Sequence, residues 1–236
     1  MCEPCGCGDP EIVSVELHED ILSGNNRTAR HNREHFAEHG VAAVNLMSSP
    51  GSGKTALLEA TARAYTSRRF GVLAGDLETD NDAVRLTRAG VPAAAITTGS
   101  ACHLDAEMVH RALHHFPWRG LDYLFIENVG NLVCPAIYDL GQAANVVALS
   151  VTEGEDKPLK YPVMFRAADL VLITKVDLLP HLDVSLEKIK DALARVVPEP
   201  RVIPVSARTG EGLSEWIEWL ETRRAAQPKQ ALGVGF

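Results

Sequence analysis

The 236-residue sequence predicts an α/β fold, a mostly parallel sheet covered by helices on both faces. Three observations carry this. Short, nearly continuous apolar runs alternate with helical patterns along the chain, as expected of strands buried on both faces. One of these runs passes into a glycine-rich loop that opens a helix with Lys54-Thr55. Hydrophobic residues make up 46% and charged residues 23%, a globular balance that suits one mid-sized domain with a real core.

Taken in order, residues 1–11 (MCEPCGCGDPE) are rich in Cys, Gly and Pro and read as a flexible tail. From about Glu16 to His39 the pattern is helical, with Leu17, Ile21 and Phe36 on the apolar side and Gly40 as stop. Gly24 and the pair Asn25-Asn26 are candidates to break that helix in two. Strand-like runs follow at Val41–Met47, Phe70–Gly75, Ala93–Thr97, Leu121–Glu127, Asn145–Val151, Leu170–Thr174 and Val202–Val205. Helices fit near 54–69, 82–90, 104–116, 185–195 and 213–224. Residues 12–236 therefore read as one domain with an N-terminal helical extension.

The formal net charge of −8 argues against a nucleic-acid partner. No run is apolar enough to span a bilayer and no signal-peptide core is present, so a cytoplasmic location without membrane attachment is expected. The five cysteines are an odd number, three of them crowded into the first seven residues. In a reducing compartment that distribution points to metal rather than to disulfides.

The run Val41–Met47 leads into Ser48-Ser49-Pro50-Gly51-Ser52-Gly53-Lys54-Thr55-Ala56, a P-loop between strand and helix. Backbone N–H groups of Gly51, Ser52, Gly53 and the helix start, Ala56 included, are expected to face phosphates, where the helix dipole also favours anions. Lys54 is expected to reach the β- and γ-phosphates, and the Thr55 hydroxyl to ligate Mg²⁺. Ser48 stands where the first glycine of the usual pattern would be.

Thr174-Lys175-Val176-Asp177 ends another apolar run and resembles the Asn-Lys-x-Asp motif of GTPases. Asp177 can accept from N1–H and the 2-amino group of guanine, and adenine offers neither donor. Lys175 offers an aliphatic stem to the base. Ser206-Ala207 matches the short backbone-donor motif behind the guanine carbonyl. Thr174 in place of Asn puts loop-tethering contacts in question. Asp76 and Glu127 close two strands beside the P-loop. Asp76 is a candidate to hold Mg²⁺ or to orient the attacking water, and Glu127 to act through a metal-bound water. Gly130 is a candidate to offer its N–H to the γ-phosphate. The neighbouring acids Glu78, Asp80 and Asp82 read as a solvated segment.

Two groups of metal ligands stand out. Cys2-x-x-Cys5-x-Cys7 places three thiolates in one chelating turn, fit for Zn²⁺ or Ni²⁺. Cys102-His103, before a helix led by Asp105 as N-cap, and Cys134 form a second candidate set of borderline-soft ligands. The bland alternative makes Cys102 and Cys134 small buried hydrophobes. The other eight histidines (18, 31, 35, 39, 110, 114, 115 and 181) show no ligand spacing with cysteine and read as surface or satisfied residues.

Together these residues resemble the hydrogenase nickel-incorporation GTPase family HypB. The likeness runs through CEPCGCG, NNRTARHNREHF, NLMSSPGSGKTALL, GDLETDNDA, TTGSACHLDA, ENVGNLVCPA, TKVDLLP and SARTGEGL, nearly the whole chain. The resemblance implies GTP hydrolysis to GDP and nickel delivery to [NiFe]-hydrogenase. It implies a nickel site at Cys2, Cys5 and Cys7 and an internal site at Cys102, His103 and Cys134 near a subunit interface. It also implies a GTP-dependent homodimer, cooperation with a HypA-type nickel chaperone, and a hydrogenase large-subunit precursor as recipient. Leu178 and Leu182 are candidate dimer contacts or core leucines. A histidine-rich stretch that some members carry is absent, so bulk nickel storage is not expected. A urease-type nickel GTPase would show a Cys-Pro-His motif and no cysteine-rich tail. A metal carrier with structural GTP would not need Thr55, Asp76 and Glu127, and a P-loop kinase would not need Lys175 and Asp177.

Overall fold

The computed structural model describes residues 10–99 and 101–225, and their side chains from residue 22 onward. Cys2, Cys5 and Cys7, and the tail read over residues 1–11 as far as residue 9, lie outside the described residues, while residues 10 and 11 already belong to a helix that starts at Pro10 rather than near Glu16. Seven strands, β1 (Ala42–Ser48), β2 (Phe70–Asp76), β3 (Ala93–Thr97), β4 (Tyr123–Glu127), β5 (Ala144–Ser150), β6 (Leu170–Thr174) and β7 (Val202–Val205), form one sheet. Its order is β3-β2-β4-β1-β5-β6-β7, and every neighbouring pair is parallel. The chain winds outward from β1 on one side and then on the other, so the carboxyl end of β1 opens the crevice where such sheets bind ligands.

The helices are α1 (Pro10–His39), α2 (Lys54–Ala64), α3 (Asn81–Arg88), α4 (Ala106–Leu113), α5 (Lys157–Lys160), α6 (Pro162–Arg166), α7 (Leu186–Val196) and α8 (Leu213–Ala225). Alternation along each strand divides the core. Ala42, Val44 and Leu46 of β1 pack with Leu57 and Leu58 of α2 and with Trp216 and Trp219 of α8. Val41 and Ala43 turn the other way, onto Phe36 of α1 and Val109 and Leu113 of α4. Met47 joins Val147 and Ile173 beneath Phe165 of α6 and Leu193 of α7. Leu178 and Leu182 are half-buried against this third cluster. Helices thus cover both faces of the sheet.

Four local outcomes differ from the sequence reading. Helix α1 runs unbroken through Gly24 and Asn25-Asn26. A helical glycine costs about 1 kcal/mol, and tertiary anchoring opposes that cost here. The Asn25 amide donates to the Asp139 carbonyl (2.8 Å) and its oxygen accepts from the Ala106 N–H (2.9 Å), while Arg33 makes a two-pronged pair with Asp139 at 2.8 Å. The helix stops at Gly40, which takes φ 65°. There the Val41 and Gly40 N–H groups bond back to Phe36 and Ala37. Helix α2 ends at Ala64 rather than near residue 69, because Tyr65 leaves helical geometry and buries its ring. The short helices α5 and α6 carry Pro158 and Pro162 in their first turns and went unpredicted. Last, Asp82, read as solvated, is drawn into the site described below.

Trp216 closes the α2–α8 layer: it is fully buried and its Nε1–H donates to Thr61 Oγ1 at 3.0 Å. Trp216→Ala is expected to lower stability by about 3–5 kcal/mol in denaturant melts, and Trp216→Phe by clearly less. Equal, small losses for both would contradict this packing.

Candidate nucleotide site and metal centre

β1 is buried along its whole length and ends in the loop Ser48–Gly53. Gly51 (φ 73°) and Gly53 (φ 96°) take left-handed geometry that bends the loop around its own backbone N–H groups before α2 starts at Lys54. The Lys54 ammonium is buried and donates to Ser48 Oγ at 2.8 Å. Burial lowers its pKa, and the carboxylates of Glu127, Asp82, Glu153 and Asp76 oppose that shift. Ser48 thus serves the loop with its hydroxyl, where a glycine would offer nothing to the ammonium.

The Thr55 hydroxyl lies 2.7 Å from Glu127 Oε1 and 2.9 Å from Asp82 Oδ1, so its one proton serves either acid. Glu127 is buried, and burial pushes its pKa up to about 7 against the pull of Lys54. Its Oε2 has no protein partner, nor has the buried Ser52 Oγ in the loop. Buried polar atoms without partners point to a missing ligand. Asp76 lines the same cavity, but its carboxylate accepts from the Leu77 N–H (2.5 Å) and from Thr79 Oγ1 (2.8 Å). Asp82, not Asp76, is the acid that reaches Thr55. Its place on the first turn of α3, one residue past the Asp80-Asn81 helix start, was the available signal.

Two cavities meet over the start of α2. One, of about 430 Å³, is lined by Gly51, Lys54, Thr55, Asp76, Glu127 and Gly130. The other, of about 400 Å³, is lined by Ser52, Ala56, Thr174, Lys175, Asp177 and Ala207. Thr174 donates to the Ser52 carbonyl at 2.6 Å, so the tether that its departure from Asn put in question is present through a hydroxyl. Lys175 stands at φ 60° and sends its ammonium to the Gly51 carbonyl at 2.6 Å, drawing its stem past Gly53. Ser206 Oγ donates to Asp177 Oδ1 at 2.6 Å and itself accepts from the Arg208 and Thr209 N–H groups (3.2 and 3.1 Å).

Cys102, His103 and Cys134 come together: their ligand atoms all lie within 4.8 Å of one another. Cys102 Sγ is 3.0 Å from Cys134 Sγ and 3.9 Å from His103 Nδ1. The Cys134 thiol is pushed up chiefly by its hydrogen bond with Cys102, then by burial and by charge repulsion from Cys102. Burial lowers the His103 pKa, which favours the neutral, ligating imidazole, and its ring stacks on Tyr138 at 3.9 Å. All three residues are half-buried, which fits an accessible ion rather than core packing. Asp105 caps α4 by accepting from the Met108 N–H, as expected.

The two sites share their loops. The Asp76 and Leu77 carbonyls accept from the Thr98 and Gly99 N–H groups, just ahead of Cys102. Gly130 sits against the P-loop so closely that a Cβ there would fall 2.9 Å from Pro50 Cα. Asn131 then holds the Val133 and Cys134 N–H groups with its side-chain oxygen at 2.7 and 3.3 Å.

Fold and site define a P-loop nucleotide-binding protein with a cysteine–histidine group, able to hold a metal ion, beside its phosphate loop. Residues 42–204 match the family model described as CobW/HypB/UreG, nucleotide-binding domain. The chain belongs to this family and, within it, to the hydrogenase maturation factors HypB. It is 54% identical to the hydrogenase maturation factor HypB of Azotobacter chroococcum over 90% of this chain and 70% of that one. It superposes on a crystal structure of HypB from Helicobacter pylori in complex with nickel with TM-score 0.83 and 40% identity, covering 88% of this chain and 99% of that one. For HypB from Archaeoglobus fulgidus the TM-score is 0.80 at 42% identity, covering 86% and 100%. Among the described residues no helix is long and apolar enough to cross a membrane.

Gly130→Ala is expected to push the loop off Pro50 and weaken nucleotide binding on the order of tenfold, about 1.4 kcal/mol, while far-UV circular dichroism stays unchanged. Unaltered affinity of a fluorescent guanine nucleotide would show that this contact does not shape the site.

Proposed function

We propose that this chain hydrolyses GTP to GDP and phosphate and uses the nucleotide state to control a nickel-binding centre during [NiFe]-hydrogenase maturation. One observation carries the reading: of the two loops that line the phosphate cavity, one runs on to Cys134 and the other is hydrogen-bonded to the segment that leads to Cys102. The Asp76–Leu77 loop is bonded to the segment before Cys102, and the Glu127–Gly130 loop runs on to Cys134. A change at the γ-phosphate position therefore moves the metal ligands with it.

In this reading Gly51, Ser52, Gly53, Lys54, Thr55 and Ala56 bind the phosphates, and Gly130 meets the γ-phosphate. Thr174, Lys175, Asp177, Ser206 and Ala207 bind guanine. Thr55, Glu127 and Asp82 would hold Mg²⁺, with Asp76 beside them, and the partnerless Glu127 Oε2 fits that assignment. Magnesium, when bound there, would supply charge neutralisation to the phosphates. The protein's own groups do the rest: Lys54 offers a desolvated positive charge, and Glu127, with its raised pKa, accepts a proton or gives one up near neutral pH. Nickel, or zinc, binds at Cys102, His103 and Cys134 as cargo, and the thiolates of Cys2, Cys5 and Cys7 form a second site. A GTP-dependent homodimer would place the internal centre at its interface, with a HypA-type chaperone as donor and a hydrogenase large-subunit precursor as recipient.

The base assignment is tested first. Asp177→Asn replaces a double acceptor with an amide that meets the 2-carbonyl of xanthine, so preference should swap from GTP to XTP by at least about 100-fold. Phosphate release from each nucleotide, measured with no acceptor present, reads the result. Retained GTP preference would remove guanine from this pocket.

A further inference from the structure

Histidines that showed no spacing with cysteine are gathered by the fold onto one surface where α1 meets α4. His31 and His35 are one turn apart on α1, with Nε2 atoms 2.9 Å apart. His110 and His114 are one turn apart across the end of α4, with Nε2 atoms 3.3 Å apart. The two pairs adjoin: the His31 and His110 rings lie 5.1 Å apart, and His35 stacks along His110 at 6.2 Å and 20°. We propose that His31, His35, His110 and His114 form an all-imidazole binding site for a nickel- or zinc-type divalent cation, separate from the cysteine sites.

Each pair is set to grip an ion, and a shared ion needs the exposed His31 and His114 side chains to turn inward, since no three of these nitrogens stand within 4.8 Å of one another. Nitrogens bound at about 2.0–2.1 Å sit about 2.9 Å apart at a right angle and about 3.3 Å apart at the tetrahedral angle. Each i, i+4 pair spans that range without any backbone movement. The outer atoms are set as ligands require. Buried Asn32 donates from its amide nitrogen to the Ala106 and Leu140 carbonyls, at 2.9 and 3.2 Å. Its oxygen must therefore accept, and the His110 Nδ1 that lies 3.0 Å from it must be the donor. That fixes the tautomer and turns the His110 Nε2 lone pair toward His114, the orientation a carbonyl-anchored metal ligand has. On His35, Nδ1 faces the Glu38 carboxylate at 3.7 Å, which leaves Nε2 for His31 and the ion. Burial and neighbouring imidazoles lower the His35 and His110 pKa, against the pull of Glu38 and Glu107. Imidazole nitrogens without thiolates suit nickel and zinc and do not suit calcium or magnesium. The two central rings are half-buried and His31 and His114 are exposed, so the rim is open to entry from solvent. Helix α4 and its C-cap carry His110 and His114, and the segment leading into α4 carries Cys102-His103.

The test uses the full chain with Cys2, Cys5, Cys7, Cys102 and Cys134 replaced by Ser, so that Ni²⁺ can bind only to other ligands. Equilibrium dialysis should find one Ni²⁺ per chain. Trp118, 6.4 Å from His35, should report it through quenched fluorescence. His31→Gln with His114→Gln, both at exposed positions, should weaken that binding at least tenfold. In the otherwise intact chain the same pair should lower the Ni²⁺ stoichiometry by one, a readout that does not depend on the serine variant folding. No Ni²⁺ on the cysteine-free chain, or binding and stoichiometry unaffected by the paired histidine change, would overturn the proposal.

Discussion

Asn128, fully buried at the end of β4, donates through its amide nitrogen to Asn45 of β1 at 3.1 Å and accepts on its oxygen from the Leu104 and Val129 N–H groups. One side chain thereby joins the strand that feeds the phosphate loop, the segment after His103, and the loop that runs to Cys134. Each of those bonds is shielded from water, where an orphaned partner costs about 1–3 kcal/mol. The three backbones are held in a single arrangement relative to one another, and both ligand sites are built on that arrangement. Neither loop can shift by much without breaking a bond at Asn128 or remaking it elsewhere.

The phosphate cavity adds a second constraint, from charge. Lys54 and Glu127 are both buried beside the loop, Thr55 and Asp82 share a hydroxyl proton with Glu127, and Glu127 Oε2 has no partner. Such a cluster is costly while no ligand offsets its desolvation and favourable once an anion and a cation enter it. The same logic holds at Cys102 and Cys134, whose sulfurs approach to 3.0 Å. Under the function proposed above, a ligand would relieve unsatisfied charge or lone pairs at each site, and the bonded loops would let relief at one be felt at the other.

Much of this was legible in the sequence, and the gaps have physical reasons. The apolar runs located all seven strands, three with the bounds Ala93–Thr97, Leu170–Thr174 and Val202–Val205, because fully buried parallel strands need unbroken hydrophobic stretches. Gly51, Gly53, Lys54 and Thr55 announced the loop because few other residues can bend and charge it. Cys102, His103 and Cys134 form a ligand set across 32 residues of sequence, and in the fold they meet. The continuity of α1 was not legible, because local propensity at Gly24 to Asn26 is overridden by bonds to Asp139 and Ala106 far along the chain. Asp82 was hidden among exposed acids, and only the direction of α3 singles it out. The histidines at positions 31, 35, 110 and 114 carried i, i+4 spacing all along; pairing them needed the packing of α1 on α4.

If nucleotide and metal bind to one mechanical unit, as proposed, each must alter the affinity of the other by the same factor. The direct measurement is titration of Ni²⁺ into the chain with Cys2, Cys5 and Cys7 changed to Ser, once with GDP and once with a non-hydrolysable GTP analogue. Thiolate-to-nickel charge-transfer absorption would report the internal centre alone. The account predicts affinities that differ by roughly 5–150-fold between the two nucleotides, about 1–3 kcal/mol of coupling. Identical affinities and identical spectra would make the thiolate centre a static neighbour of the phosphate loop and contradict the account.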